Sequence, residues 1–489
     1  MTMALFLALN GRRVTVVEKA RTLGGSVARF RRKGIPFDVG FHFTGGLESG
    51  GPLIQMLTAL GLNGAVEPYY VEGDGGKRLM FEREGARFDL PNGVPENVAS
   101  IAASFPKEAS GIARYFAVME RICAETPAMD IKNVASIPAQ LDEDFTSLDA
   151  ALHAMVSDPL LIGLLEAPAT CYGVRPSEVS FANHARMCLD FYRRLAFVRN
   201  GGDGFVSAFK RRFTELGVET VCGDGLAALA DVHDGRVGRF VLESGREIAA
   251  TDCVLTMHPH VILKLLPLAS FRKGFVERIR SFEPSLGFFL VFATVESEST
   301  DRGVETTLGT IFPHAGIDRL FDPLTRELPG PVAIKVGEEV VDGERRIRPI
   351  HLLGLAFPGE TAGWAGTRTG RRPPEYGRYK EERARGILEA GLKAYPQYRG
   401  RAVTVETGSL LTCRDCLNNP DGSAYGIRQK IGQYNLIGQL SLRNLYVAGQ
   451  SAVLPGILGA MVSSFVVGRA MVGPEKYREF LEKNYPHGA

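Results

Sequence analysis

RVTVVEKARTLGGSVARFRRKGIPFDVGFHFTGG, residues 13–46, is the stretch on which the fold turns. It opens with Arg13-Val14-Thr15-Val16-Val17, a β-branched run closed by Glu18. Such a run reads as a buried parallel strand with an acid at its carboxyl end. Upstream, Met3 to Leu9 is rich in strong helix formers and Asn10-Gly11 supplies a stop. Helix, tight turn and acid-terminated strand form the second half of a dinucleotide-binding βαβ unit, in which the carboxylate accepts both ribose hydroxyl protons of an adenosine. A Gly-rich phosphate loop belongs about 20 residues before that acid, which falls at or before Met1. The first strand and most of the loop are therefore expected to be missing from these 489 residues. A start placed too late is favoured over a protein that has lost the element.

Downstream come Leu23-Gly24-Gly25-Ser26, then Arg29-Phe30, then Gly34 to Gly46. Paired glycines let the backbone pass close to a flat or anionic ligand, because no Cβ intervenes. The whole stretch resembles the N-terminal segment of FAD-dependent oxidoreductases of the phytoene desaturase, carotenoid isomerase and retinol saturase group. Ser26 after the glycine pair and FDVGFHFTGG look more like the isomerase and saturase branches; amine oxidases, which share the fold, usually carry Arg there. The resemblance implies an α/β fold: a discontinuous Rossmann-type FAD-binding domain with an inserted α+β substrate domain. It implies cofactor contacts at Glu18, Lys19, Gly24, Gly25, Ser26, Arg29, Gly40 and His42.

Two later segments match in the right order. Gly201-Gly202-Asp203-Gly204 precedes a helical pattern from Val206 to Leu216, and Val221 to Leu229 then resembles the strand whose backbone meets the adenine, with Leu226 at the contact. Hairpin turns are predicted at Asp234-Gly235 and Ser244-Gly245, and a returning strand at Thr251–Thr256. Near the end, Asn444 to Gln450 reads as a strand ending in Gly449, followed by an apolar helix to about Met471. Free N–H groups and the helix dipole converge at such a turn. The resemblance brings Gly449, Gln450, Gly456, Ile457, Leu458, Gly459, Ala460 and Met461 to the ribityl chain and flavin ring. The expected division is 1–90, 196–265 and 426–489 for the FAD-binding parts, 91–195 for a helical substrate-side lobe and 266–425 for the substrate domain.

Composition narrows the class. Lys plus Arg is 57 against 55 for Asp plus Glu, a formal net charge of +2, so no basic footprint for nucleic acid exists. Hydrophobic residues at 45% and charged residues at 23% belong to a folded globular chain. Seven scattered cysteines do not form a disulfide framework, and no apolar run reaches 18 residues. A cytoplasmic enzyme is expected, with peripheral membrane contact at the mouth of a substrate tunnel.

Other motifs read more plainly. Cys413-x-x-Cys416 lacks the second pair a zinc site needs, so two ordinary thiols are expected; His258-Pro-His260 is isolated, and no metal site is expected. Catalysis is expected to centre on the flavin, with His42 and Tyr425 as side-chain candidates, Tyr425 in a turn that the resemblance sets beside the tunnel. The function implied is oxidation, reduction or cis–trans isomerisation of C=C bonds in an apolar polyene or isoprenoid. The rivals are a flavin amine oxidase and a non-catalytic protein without its phosphate loop. Oligomeric state is left open.

Overall fold

The strand predicted at residues 13–18 forms over Thr15–Glu18, in a computed structural model describing residues 1–70, 76–134, 140–298, 308–324 and 327–486. It pairs in parallel with Glu219–Cys222, and all four of its residues are half-buried rather than buried. The reason is one-sided pairing: Glu219–Cys222 is its only partner among the described residues. Across a large cavity lies the other piece of this layer, Cys253–Leu255, parallel to Leu445–Val447, which in turn pairs with Gly438–Gln439. Among the described residues the FAD-side sheet is thus in two separate pieces.

Helix Thr2–Leu9 covers this layer, burying Met3 to Phe6. Phe6 meets Phe465 of helix Gly456–Val472 edge-on at 5.6 Å, and Phe480 at 4.8 Å. Aromatic pairs of this geometry contribute about 0.5–1.5 kcal/mol beyond burial. Helix Gly201–Leu216 packs beside them, and the glycine-rich segment is the first turn of that helix rather than a loop before it. Gly202 is required there, since a Cβ would lie 1.5 Å from the Val27 carbonyl oxygen.

The predicted strand Val221–Leu229 is not one element. Glu219–Cys222 ends in the FAD-side sheet, Gly223 turns with φ +78°, and Leu226–His233 starts a separate antiparallel meander with Arg236–Leu242 and Glu247–Ile248. Leu226 therefore opens the meander.

The second layer is a large mixed sheet in the order Val403–Gly408, Gly287–Glu296, Arg345–Ala356, Val332–Val336, Leu308–Phe312, Lys77–Phe81, Ala86–Leu90, with Val340–Asp342 alongside Arg345–Ala356. Period-two alternation gives it two faces. Phe289, Val291, Ala293 and Val295 point to a core shared with helix Pro374–Gly391; each buried large apolar side chain stabilises by about 1.5–3 kcal/mol. Phe288, Leu290 and Phe292 point the other way. A helical lobe, including Ala109–Glu125, Pro159–Glu166 and Phe181–Arg193, closes over that second face. Asp158 caps Pro159–Glu166 by accepting the Leu160 and Leu161 N–H groups.

Two expected boundaries move. Residues 77–90 join the substrate sheet, because Lys77–Phe81 pairs in parallel with Leu308–Phe312. Residues 266–282 pack with the FAD side: Val276 and Ile279 share a core with Leu255 and Leu445.

Candidate functional site

Between the two layers lies a cavity of about 1850 Å³. Ordinary ligand pockets run to about 300–1,000 Å³, so this one has room for a dinucleotide and a second long molecule. Its FAD-side wall carries most of the residues singled out in the sequence. Glu18 stands at the carboxyl end of its strand on the cavity wall, with Oε1 accepting the Ala20 N–H at 2.8 Å. Lys19, Gly24, Gly25, Ser26, Gly40, His42 and Leu226 also line the cavity, and Lys19 is held by Glu243 at 2.7 Å. The first turn of helix Thr2–Leu9 opens onto it, so the first N–H groups of that helix, which lack intrahelical partners, face the space where an anion would sit.

The C-terminal turn contributes Gly449, Gln450, Gly456, Ile457, Leu458, Ala460 and Met461. Gly449 has φ +113°, and a Cβ there would lie 3.0 Å from the Thr256 carbonyl oxygen, so the chain passes close to the neighbouring strand only as glycine. Its N–H donates to Ser463 Oγ at 2.9 Å, which fixes the turn to the following helix.

Two predicted cofactor residues are not on the wall. Arg29 is turned to Asp38, Nε to Oδ1 at 2.6 Å, because the hairpin Arg29–Arg32/Ile35–Asp38 puts them opposite each other. Gly459 is buried in its helix against Leu454, whose carbonyl oxygen a Cβ would meet at 1.6 Å.

The substrate-side wall was not legible in the sequence. Register aligns Leu290, Leu353, Ala333 and Thr310 across four strands, and all four line the cavity, with Phe288, Leu308 and Leu355 beside them. Tyr425 stands over this floor, edge-on to Phe288 at 6.2 Å. Burial, then the nearby Cys171, pushes its phenol far up, so it stays protonated. Tyr172 also lines the cavity; its hydroxyl is 2.8 Å from His184 Nδ1, and His184 Nε2 is 2.6 Å from the Tyr115 hydroxyl.

At one end the floor turns polar. His42 is buried on the cavity wall with neither ring nitrogen partnered. Burial, then Lys335, pushes it down to about 4, so the ring is neutral. Behind it, Asp38 takes the Arg29 guanidinium, the Gly202 N–H at 3.1 Å and, at 3.5 Å, the Lys335 ammonium. Burial pushes the Asp38 carboxyl up, but Lys335, His351 and Arg29 together hold it well below the usual carboxylate range.

Cys413 and Cys416 lie in helix Leu410–Leu417 as free thiols at the cavity. Burial pushes Cys413 up to about 12, which keeps it a thiol at neutral pH. His258 and His260 lie near Asp421, at the start of helix Pro259–Leu265.

Residues 1–322 match the family described as flavin containing amine oxidoreductase. The chain belongs to that family. It is 22% identical over 527 residues to all-trans-retinol 13,14-reductase from Homo sapiens, covering 97% of this chain and 84% of that protein. It is 23% identical over 344 residues to 4,4'-diapolycopene oxygenase from Methylomonas sp, covering 66% of this chain and 61% of that one. The crystal structure of an oxidoreductase from Methanosarcina mazei superimposes with a TM-score of 0.63 at 14% identity, covering 95% of this chain and 96% of the other, and shares the fold. Members of the flavin containing amine oxidoreductase family are flavoenzymes, and the wall groups here suit FAD: a carboxylate for the ribose, a helix N-terminus for the pyrophosphate and a glycine turn for the ring.

Proposed function

We propose that this flavoenzyme acts on C=C bonds of a long, apolar polyene or isoprenoid, by desaturation, saturation or cis–trans isomerisation. The observation that carries the reading is the apolar floor Leu290–Leu353–Ala333–Thr310, continuous with the cofactor wall in one cavity. Relatives named for reducing retinol and for oxygenating diapolycopene support it.

Bound FAD supplies hydride transfer; the chain supplies position and a dry surrounding. Glu18 and the Thr2–Leu9 helix N-terminus hold the nucleotide half, and Gly449 to Met461 hold the ring half. Phe288, Leu290, Leu353 and Leu355 lay the polyene flat against the floor and exclude water. Tyr425 and His42 border the reacting region as neutral donors, and neither carries a charge that an apolar chain would have to desolvate.

Among the described residues no helix is long and apolar enough to cross a membrane. We take substrate to be drawn from a membrane by peripheral contact.

The test is anaerobic incubation of purified, FAD-loaded protein, once with the flavin oxidised and once with it reduced by dithionite, with all-trans-retinol, lycopene and putrescine, and with products resolved by chromatography. A shifted polyene spectrum with putrescine untouched is expected. Turnover of putrescine alone overturns the reading, and the non-catalytic alternative takes its place if neither this chain nor one extended upstream binds flavin.

A further inference from the structure

Helix Phe181–Arg193 turns one face to the cavity, where Met187, Asp190 and Phe191 line the wall at helical spacing. Asp190 is the polar member of this face. Its side chain is buried, Oδ1 accepts from Arg193 Nη1 at 3.1 Å, and Oδ2 has no partner. The loop that carries His42 packs directly against it. A Cβ on Gly45 would lie 2.6 Å from Asp190 Cβ, and one on Gly46 would lie 3.1 Å from Oδ2. Thr44 and Gly45 also line the cavity, so Asp190 sits where the helical lobe meets the loop bordering the reacting region.

A second carboxyl lies beside the first. Glu48 Oε2 is buried and unpartnered too, while the residue as a whole is half-buried and Ser49 and Gly50 after it are exposed. The pair therefore spans from the cavity wall toward the surface. Burial, then Asp190, pushes the Glu48 carboxyl up to about 7, and burial raises Asp190 against the pull of Arg193. Cys123 faces Asp190, and Tyr70, with Arg194 over its ring, faces Glu48. Burial raises both of those groups, so neither adds a charge near neutral pH. One proton held on the carboxyl pair supplies the donor that its two unpartnered oxygens otherwise lack.

Reducing a C=C bond adds a hydride to one carbon and a proton to its neighbour; desaturation removes the same two. The side chains already placed at the reacting region are poor sources of that proton. His42 is in its neutral form at working pH, and the Tyr425 phenol is raised far above the range in which it releases hydrogen. Proton transfer needs a group that titrates near the operating pH and is resupplied from solvent.

Resting on the polyene reading above, we infer that Asp190 is the proton-transfer group of the reaction and that Glu48 connects it to solvent. In the reducing direction a hydride passes from reduced FAD to one carbon of the double bond. The Asp190 O–H breaks, and its proton bonds to the adjacent carbon through the π electron pair. Oxidised FAD and the Asp190 carboxylate are left, and Glu48 returns a proton from water. In the desaturating direction both transfers reverse, and the Asp190 carboxylate takes the proton as FAD takes the hydride. Asp190 is then a catalytic residue and Glu48 a positioning residue that acts through it.

The test has two readouts on the FAD-loaded protein. Without substrate, infrared difference spectra across neutral pH are expected to show a protonated-carboxyl C=O band that titrates, and that Asp190→Asn and Glu48→Gln each alter. With all-trans-retinol and reduced flavin, or lycopene and oxidised flavin, Asp190→Asn is expected to lower kcat by about 10²–10⁴-fold. Polyene and FAD affinities should stay within twofold, and Asp190→Glu should restore part of the rate. Glu48→Gln is expected to keep the first turnover and slow later ones at least tenfold. A kcat for Asp190→Asn within threefold of the parent overturns the inference and leaves the polyene reading standing, as does a loss of polyene or FAD affinity that accounts for the fall in rate. Turnover confined to isomerisation also overturns it, since no net proton is then transferred. If Asp190→Asn does not fold, the absence of a titrating band in the unaltered protein, or equal first and later turnovers in Glu48→Gln, overturns it instead. No conversion of either polyene by the unaltered protein overturns this inference together with the polyene reading.

Discussion

Arg29 and Asp38 close the first hairpin with a two-point ion pair, Nε to Oδ1 at 2.6 Å and Nη2 to Oδ2 at 3.4 Å, and the carboxylate is fully buried. Lys335 shares it at 3.5 Å. Removing the carboxylate strands two cations, so Asp38→Asn is expected to destabilise by about 3–5 kcal/mol in denaturant unfolding. The folded carboxyl is held below its unfolded value, so its stabilisation is whole above about pH 3.9 and is lost as pH falls through the folded value. The acid limb of the unfolding curve below pH 4 should flatten in the variant.

A second pH window lies higher. Burial pushes His42 down to about 4, His184 down to about 3 and His258 down to about 4. Their neutral forms fit the fold, so the stability they contribute is full above about pH 6.5 and is withdrawn as pH falls toward 4. Each such histidine withdraws about 2–3 kcal/mol by pH 4.5, at about 1.4 kcal/mol per unit. Thermal unfolding between pH 7.5 and 4.5 should show a falling Tm, with a smaller fall in His184→Gln; an unchanged slope there would show that His184 does not titrate as its burial dictates.

Glu18 gives a direct measure of the nucleotide half. A charge-assisted hydrogen bond is worth about 1.5–3 kcal/mol, so Glu18→Ala should weaken FAD by roughly 10–150-fold in a fluorescence titration. The far-ultraviolet circular dichroism should be unaltered.

Leu353 lies in the middle of the apolar floor. Leu353→Trp fills the space where the chain would lie, and is expected to weaken polyene binding at least tenfold with FAD affinity within twofold of the parent. Equal loss of both ligands would mean that the two share the floor.

Local signals carried most of the FAD side. The helix Thr2–Leu9, the strand after it and the turn after Gly449 each depend on residues within a few positions, so composition and spacing reveal them. Arg29 was misread for want of a register: its turn at Lys33-Gly34 makes a hairpin legible, but the pairing that turns its guanidinium to Asp38 is a tertiary fact. Lys335 and His351 carry no local signal at all. They look like a lysine and a histidine in two apolar strands, and only the pairing of Val332–Val336 with Arg345–Ala356 makes them neighbours. Residues 77–90 were given to the wrong layer for the same reason, since nothing in them announces a partner more than 200 positions away.

That partner has a consequence during synthesis. The Lys77–Phe81 edge meets Leu308–Phe312 only when the ribosome has added roughly 230 more residues, which at about 5–20 residues per second takes roughly 10–45 s. Over that interval the hairpin Lys77–Phe81/Ala86–Leu90 leaves the tunnel with an open edge and an apolar face, Leu79, Phe81 and Phe88 among them. Yield in a heterologous host should therefore depend on chaperone supply and translation speed more than on the stability of the finished enzyme.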